Sequence, residues 1–190
     1  MTDIGLWTIA ATDPERTAVI EPSGAAISYA ELAARADRYG RGLQALGLHP
    51  GDAVAGMLPN STEALALFFA AAQTGLYVVP VNWHLTAAEV AYILADSGAR
   101  AFVAHERFGE VAAEAAAGAG IDPGACFAVG EVPGFVPLSA PSVASGANPG
   151  TSPTANLAAG SIPAASAASA ATPANLSWAT NAPAPLSLRM

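Results

Sequence analysis

The chain contains no lysine. All seven of its basic residues are arginines, and they face 15 acids, giving a formal charge of −8 over 190 residues. Such a surface repels nucleic-acid phosphates and anionic lipid heads, so neither is an expected partner. Cysteine is nearly absent as well. The lone Cys126 excludes an internal disulfide and accords with a reducing compartment. Met1–Ala11 lacks the charged start of a secretory signal, since the first basic residue is Arg16. No stretch reads as membrane-spanning. The longest uncharged run before the last third, Ala64–Ala88, is broken by Gln73, Gly75, Pro80 and Asn82. The expected location is cytoplasmic.

Charge is also missing from a whole region. Every acid lies at or before Glu131, and Val132–Leu188 carries no charge at all. Nine of the 15 prolines fall there too. Two parts are therefore expected: a partial domain over 1–131 and a low-complexity Ala/Pro/Ser tail over 132–190. The tail's larger apolar residues, Leu157, Ile162, Leu176 and Trp178 among them, follow no period. Ordering it would cost ~1–2 kcal/mol per residue with little apolar burial in return, so composition predicts disorder.

What is present before that break is a regular alternation. Ala53–Met57 is a short apolar run after the Gly51-Asp52 turn signal, and Pro59 ends it. Asn60 with Glu63 three residues on reads as a capping box. Leu65, Phe68, Phe69 and Ala72 recur at helical spacing and predict the buried face of that helix, with Gly75 closing it. Leu76–Val81 is continuously apolar and reads as a strand covered on both faces, with Pro80 near its end. Strand, helix and strand make a parallel βαβ unit.

The flanking segments extend the pattern. A short helix is predicted within Thr2–Ala11, and Thr17–Glu21 with Ala25–Ser28 forms a hairpin around Pro22-Ser23-Gly24. Ser28 and Glu31 open a longer helix with Leu32, Ala36, Tyr39, Leu43 and Leu46 on one face, and Gly47 closes it. Thr86 and Glu89 repeat the box, ahead of Val90, Ile93 and Leu94. Ala101–Ala104 is a strand, Arg107–Ala117 a helix, and Ala125–Val129 a last strand. The fold class is α/β: an incomplete layered domain with a mostly parallel sheet (β-α-β-α-β-α-β), preceded by a hairpin and helix.

Motifs for chemistry are few. Gly40-Arg-Gly42-Leu-Gln-Ala45 has the letters of a dinucleotide fingerprint but lies inside a helical pattern, where small residues serve close helix packing. Gly118-Ala-Gly120-Ile-Asp-Pro123 has proline in place of the third glycine and is a loop. His49, His84, His105 and Cys126 lack the spacing of a zinc site. His84 follows a strand and falls at the carboxyl edge of the sheet, where α/β proteins bind ligands; Trp83 beside it reads as a packing residue. Arg35, Arg38 and Arg41 read as a solvated helix face with Glu31 and Asp37. There is neither a Gly-x-Ser-x-Gly elbow nor a Gly-Lys phosphate loop. No residue is expected to be catalytic, cofactor-binding or metal-ligating.

One ordered series carries a resemblance. It runs Ile27-Ser-Tyr-Ala-Glu-Leu32, Gly42-Leu43, Leu46-Gly47, Gly51-Asp52-Ala-Val54, Leu58-Pro-Asn60-Ser61, Gly75 and Val79-Pro-Val-Asn82. Leu85-Thr86, Glu89, Tyr92-Ile93-Leu94 and Asp96-Ser97-Gly98-Ala99 complete it. In this order the residues resemble the opening of the AMP-forming acyl-CoA synthetases, over about Met1–Val129. Asn82-Trp-His-Leu-Thr86 is most similar to fatty-acyl and related carboxylate–CoA ligases.

The resemblance implies activation of a fatty or related carboxylic acid with ATP and Mg²⁺, then transfer of the acyl group from its adenylate to coenzyme A. It also implies a Ser/Thr/Gly-rich, lysine-bearing phosphate loop and a later catalytic lysine, and neither is present. The expectation is a truncated ligase, inactive alone, with a frame shift near Leu138–Pro141 as one origin of its tail. Exposed apolar faces are expected to favour self-association. The alternatives are a non-enzymatic α/β interaction module, one half of a split ligase, or a free-standing nucleotide binder.

Overall fold

A computed structural model describes residues 5–138. Within them the chain runs α1 (Leu6–Thr12), β1 (Thr17–Ile20), β2 (Ala26–Ser28), α2 (Tyr29–Ala45), β3 (Ala53–Met57), α3 (Thr62–Thr74) and β4 (Tyr77–Pro80). It continues through α4 (Ala87–Asp96), β5 (Ala99–His105), α5 (Gly109–Ala119), β6 (Cys126–Val129) and β7 (Val136–Pro137). The hairpin β1–β2 is antiparallel. The other strands form one parallel sheet in the order β4-β3-β5-β6-β7.

Period-2 alternation along the central strands divides the interior in two. Val54, Ala101, Val103 and Phe127 face a cluster with Leu32, Ala36, Tyr39 and Leu43 of α2 and Ala66, Leu67, Ala70 and Ala71 of α3. Ala55, Met57, Phe102, Ala104 and Cys126 face the other cluster, with Val90 and Leu94 of α4 and Ala112, Ala115 and Ala116 of α5. Helices thus cover both faces, the expected α/β layering with a parallel sheet.

The caps explain where the helices begin. At α2 and α4 the expected boxes are complete: Ser28 with Glu31, and Thr86 with Glu89, each bonded reciprocally. At α3 the expectation is corrected by one residue. Ser61, not Asn60, is the N-cap, and its hydroxyl accepts from Ala64 N at 3.3 Å. Glu63 is therefore in the first turn, free to pair with Arg35 across to α2 at 2.8 Å. Gly75 ends α3 in the left-handed region, at φ +73°.

The buried face of α3 is also corrected. Leu65 and Phe68 are 41% and 55% exposed, and Ala72 is exposed too. The side chains turned inward are Thr62, Ala66, Leu67, Ala70 and Ala71, and of the expected face only Phe69 is partly buried, packed on the same cluster and edge-on to Trp7. Close backbone approach sets this phase. A Cβ on Gly40 of α2 would stand 2.8 Å from Gln73 Nε2, and one on Gly56 of β3 would stand 3.1 Å from Leu67. Gln73 and Thr74 of α3 fit against α2 because Gly40 carries no side chain, and Leu67 fits against the sheet because Gly56 carries none. Gly40 thus has the packing role read from the sequence. Leu46, expected on the buried face of α2, lies beyond the helix end and is 37% exposed.

Two strand expectations change as well. β4 is an edge strand with Tyr77 69% exposed, not a strand covered on both faces. Tyr77 N and Val81 N donate to Asp52 O and Gly56 O of the neighbouring segment. Alternation then turns Val78 and Pro80 outward, and proline is tolerated there because an outward N–H has no ladder partner to lose. The sheet also runs past the composition break. Val136–Pro137, read as tail, pair with Phe127–Ala128, and Val132 and Leu138 are buried. The remainder of the predicted disorder lies outside the described residues.

Candidate functional site

In a sheet wound in both directions, a crevice opens at the carboxyl edge where adjacent strands send their connections to opposite faces. Here β3 leads into α3 on one face, and its neighbour β5 leads into α5 on the other. The loops after β3, β4, β5 and β6 line this edge.

The loops after β4 and β5, on either side of β3, meet through aromatic rings. Trp83 and Phe108 stack with centroids 5.3 Å apart and planes 12° apart. The His84 ring lies 3.5 Å from that of Trp83, and the Arg107 guanidinium lies 5.6 Å from the Phe108 centroid. Asn82 Oδ1 accepts from His84 N at 3.1 Å and fixes the turn that presents the imidazole. His105, the last residue of β5, accepts from Arg107 N through Nδ1 at 3.1 Å. That bond leaves the proton of the neutral ring on Nε2. Behind this group, Glu106 Oε2 accepts from Glu131 N at 3.1 Å and ties the loop after β6 to the loop after β5.

His84 thus lies at the carboxyl edge, as its position after a strand predicts. Trp83 packs, as expected, but 41% of it remains exposed. Of the four residues weighed as metal ligands, His84 and His105 both join the Phe108 cluster. His49 lies exposed in the loop before β3, and Cys126 is buried at the start of β6. Burial pushes the Cys126 thiol up to about 11, with Asp122 adding to the shift, so little of it is thiolate at neutral pH. Among the described residues no three His, Cys, Asp or Glu side chains converge as a metal site would require. Of the α2 arginines, Arg38 and Arg41 are exposed as expected, whereas Arg35 bridges to Glu63. Asp37 accepts from Trp7 Nε1 at 3.0 Å and holds α1 on α2.

The sequence reading missed Phe108 as the centre of this cluster, because its spacing with Val111 and Ala115 marks only a helix face. It also missed Glu21. The Glu21 carboxylate reaches from the hairpin to the amino end of α3, where it accepts from Thr62 N at 3.2 Å and from the Thr62 hydroxyl. Nothing in the local sequence signals a contact 41 residues long.

Glu21 decides what the edge can hold. The amino end of a helix leaving a switch-point strand is the natural seat for a phosphate. At α3 a carboxylate already occupies it, and Ser61 takes a further amide. Arg107 is the one arginine in the cluster, beside Glu106 and Glu131. The described residues therefore do not fit a triphosphate with its Mg²⁺.

The fold agrees with known proteins. The profile described as "AMP-binding enzyme" matches residues 6–157. A feruloyl-CoA synthase from Amycolatopsis is 40% identical over 117 residues, covering 60% of this chain and 24% of that protein. A long-chain-fatty-acid–CoA ligase of Mycobacterium tuberculosis is 42% identical over 95 residues, covering 50% of this chain and 19% of that one. Among solved structures, a benzoate CoA ligase from Burkholderia xenovorans aligns with a TM-score of 0.64 at 26% identity, over 74% of this chain and 27% of its own. The match spans about a quarter of the length of these relatives. With a profile match over most of its residues, the chain belongs to the family of AMP-binding enzymes and is similar to the N-terminal part of their acyl-CoA ligases.

Proposed function

We propose that this chain is the scaffold part of an ATP-dependent, AMP-forming acyl-CoA ligase acting on a fatty or related carboxylic acid, and that the 190-residue chain is inactive alone. The family match over residues 6–157 carries the class of reaction. The occupied amino end of α3 and the lack of any lysine support the division of labour. Steadying the charge that develops as a carboxylate attacks the α-phosphate needs fixed cations. Those groups, together with ATP, Mg²⁺ and coenzyme A, belong to another part of a complete ligase. What residues 5–138 contribute is a parallel sheet covered by helices on both faces, whose carboxyl edge borders the reaction space. Among the described residues no helix is long and apolar enough to cross a membrane.

A chimera tests this reading. Residues 5–138 replace the matching stretch of the Mycobacterium tuberculosis fatty-acyl-CoA synthetase, a structure 39% identical to this chain with a TM-score of 0.53. The expected result is a folded chimera that retains carboxylate-dependent ATP–pyrophosphate exchange. A folded chimera with no exchange would overturn the scaffold role.

A further inference from the structure

The parallel sheet ends in two edge strands, β4 and β7, and an edge strand presents its outward N–H and C=O groups to any extended chain. On β4 the hazard is greatest. Leu76–Val81 is apolar, uncharged and rich in valine, the composition that pairs with copies of itself. The hydrogen bonds show how many donors each edge has left. In a parallel ladder alternate residues bond to the neighbouring strand and the others point outward. On β4, Tyr77 N and Val81 N donate inward, so the outward positions are Leu76, Val78 and Pro80. Leu76 N is already bonded to Ala71 O of α3 at 2.9 Å, and Pro80 has no N–H. On β7, Leu138 N donates inward to Ala128 O at 2.8 Å, so Phe135 and Pro137 are outward. Phe135 N is bonded to Val132 O at 3.1 Å within its own loop, and Pro137 has no N–H. Among the described residues the two edges together keep one outward donor, that of Val78.

We infer that Pro80 is the residue that closes this sheet to a second copy of the chain. Strand pairing draws its energy from a row of alternating bonds, and the row on β4 stops two residues to either side of Val78. Restoring one N–H at position 80 turns a lone donor into a pair on a valine-rich strand. β7 then limits the product. It offers no outward donor of its own, so β4 of one copy cannot continue onto β7 of the next, and only β4 on β4 remains. Such a contact is the same patch on both copies and closes as a two-fold dimer, whereas β4 on β7 would give an open filament. The inference rests on the edge hydrogen bonds and is independent of the ligase reading.

The experiment follows amide hydrogen exchange residue by residue, by NMR, on the full 190-residue chain at low and high protein concentration, with sedimentation run in parallel. In the wild type the Val78 amide is expected to exchange equally fast at both concentrations. In Pro80→Val the amides at 78 and 80 are expected to slow by about tenfold or more at the higher concentration, since protection follows the paired fraction, and the new species to sediment as a dimer. Pro123→Val, at an exposed proline away from both edges, controls for the loss of proline stiffness and is expected to behave as wild type. Circular dichroism checks each fold, and Pro80→Thr replaces Pro80→Val if that variant unfolds. Four outcomes overturn the inference: a wild-type Val78 amide that slows with concentration, a folded position-80 variant that gains no protection, the same protection in Pro123→Val, or growth of the position-80 variant beyond a dimer.

Discussion

Gly130 shows how much a single position can constrain. It sits at φ +85°, and a Cβ there would run into the Glu106 carboxylate that holds the loop after β6. Gly98 also has a positive φ, +60°, but open space around it. Alanine at either must adopt the left-handed region, at roughly 1–2 kcal/mol. Gly98→Ala is expected to lose about that much in urea unfolding, and Gly130→Ala distinctly more, because the Glu106–Glu131 contact goes with it. Equal losses would mean that the carboxylate yields freely.

Asp52 gives a pH-dependent contribution. The backbone N–H of His49 donates to it at 2.7 Å and Arg100 pairs with it at 2.6 Å, and the His49 bond, more than Arg100, holds its carboxyl below the usual value of 3.8. A folded-state pKa below the unfolded one stabilises the fold above the unfolded value. That gain is lost as pH falls through the folded value. Wild type should therefore exceed Asp52→Asn in urea midpoint by a constant margin near neutrality, and the margin should shrink below about pH 4. A margin that does not change down to pH 2 would remove Asp52 from the account.

At the scale of elements, α3 separates what the sequence shows from what it hides. Its start is testable because two neighbours compete for the cap. Ser61→Ala is expected to cost about 1 kcal/mol, the usual value of an N-cap, and Asn60→Ala no more than about 0.5. The reverse order in thermal unfolding would restore the earlier cap. The caps of α2 and α4 were legible because a Ser or Thr stands three residues before a Glu and just ahead of an apolar stripe. At α3 only Asn60 stands three residues before a Glu, yet Ser61, with Ala64 at that distance, is the cap.

The phase of α3 was illegible for a related reason. With five of its 13 positions alanine and four more Leu or Phe on different sides, apolar periodicity gives little contrast, and steric room at Gly40 and Gly56 decides which side turns in. Pro80, by contrast, was a signal left unread. Proline in a strand already points to an edge, so Leu76–Val81 could have been placed there from the sequence. β7 was hidden by composition, since two residues in a proline-rich, uncharged stretch carry no period at all.

Across the whole molecule, the class of fold followed from four apolar runs alternating with three helical stretches, and the family from an ordered series of residues spread over that frame. The candidate site was only partly legible. His84 could be placed at the carboxyl edge from its position after a strand. The ring beside it, Trp83, stacks on Phe108, 25 residues away, and that contact depends on β3 lying between β4 and β5. The Glu21 contact depends on the hairpin packing against α3, which no local pattern encodes. Both are products of topology.

The central claim is that this polypeptide supplies an acyl-CoA ligase framework without the cations that hold a triphosphate. Isotope exchange between pyrophosphate and ATP, run with the purified 190-residue chain, Mg²⁺ and a series of fatty and aromatic acids, tests it most directly. The account predicts no exchange above the protein-free control with any acid. Carboxylate-dependent exchange that follows the chain through purification would contradict it.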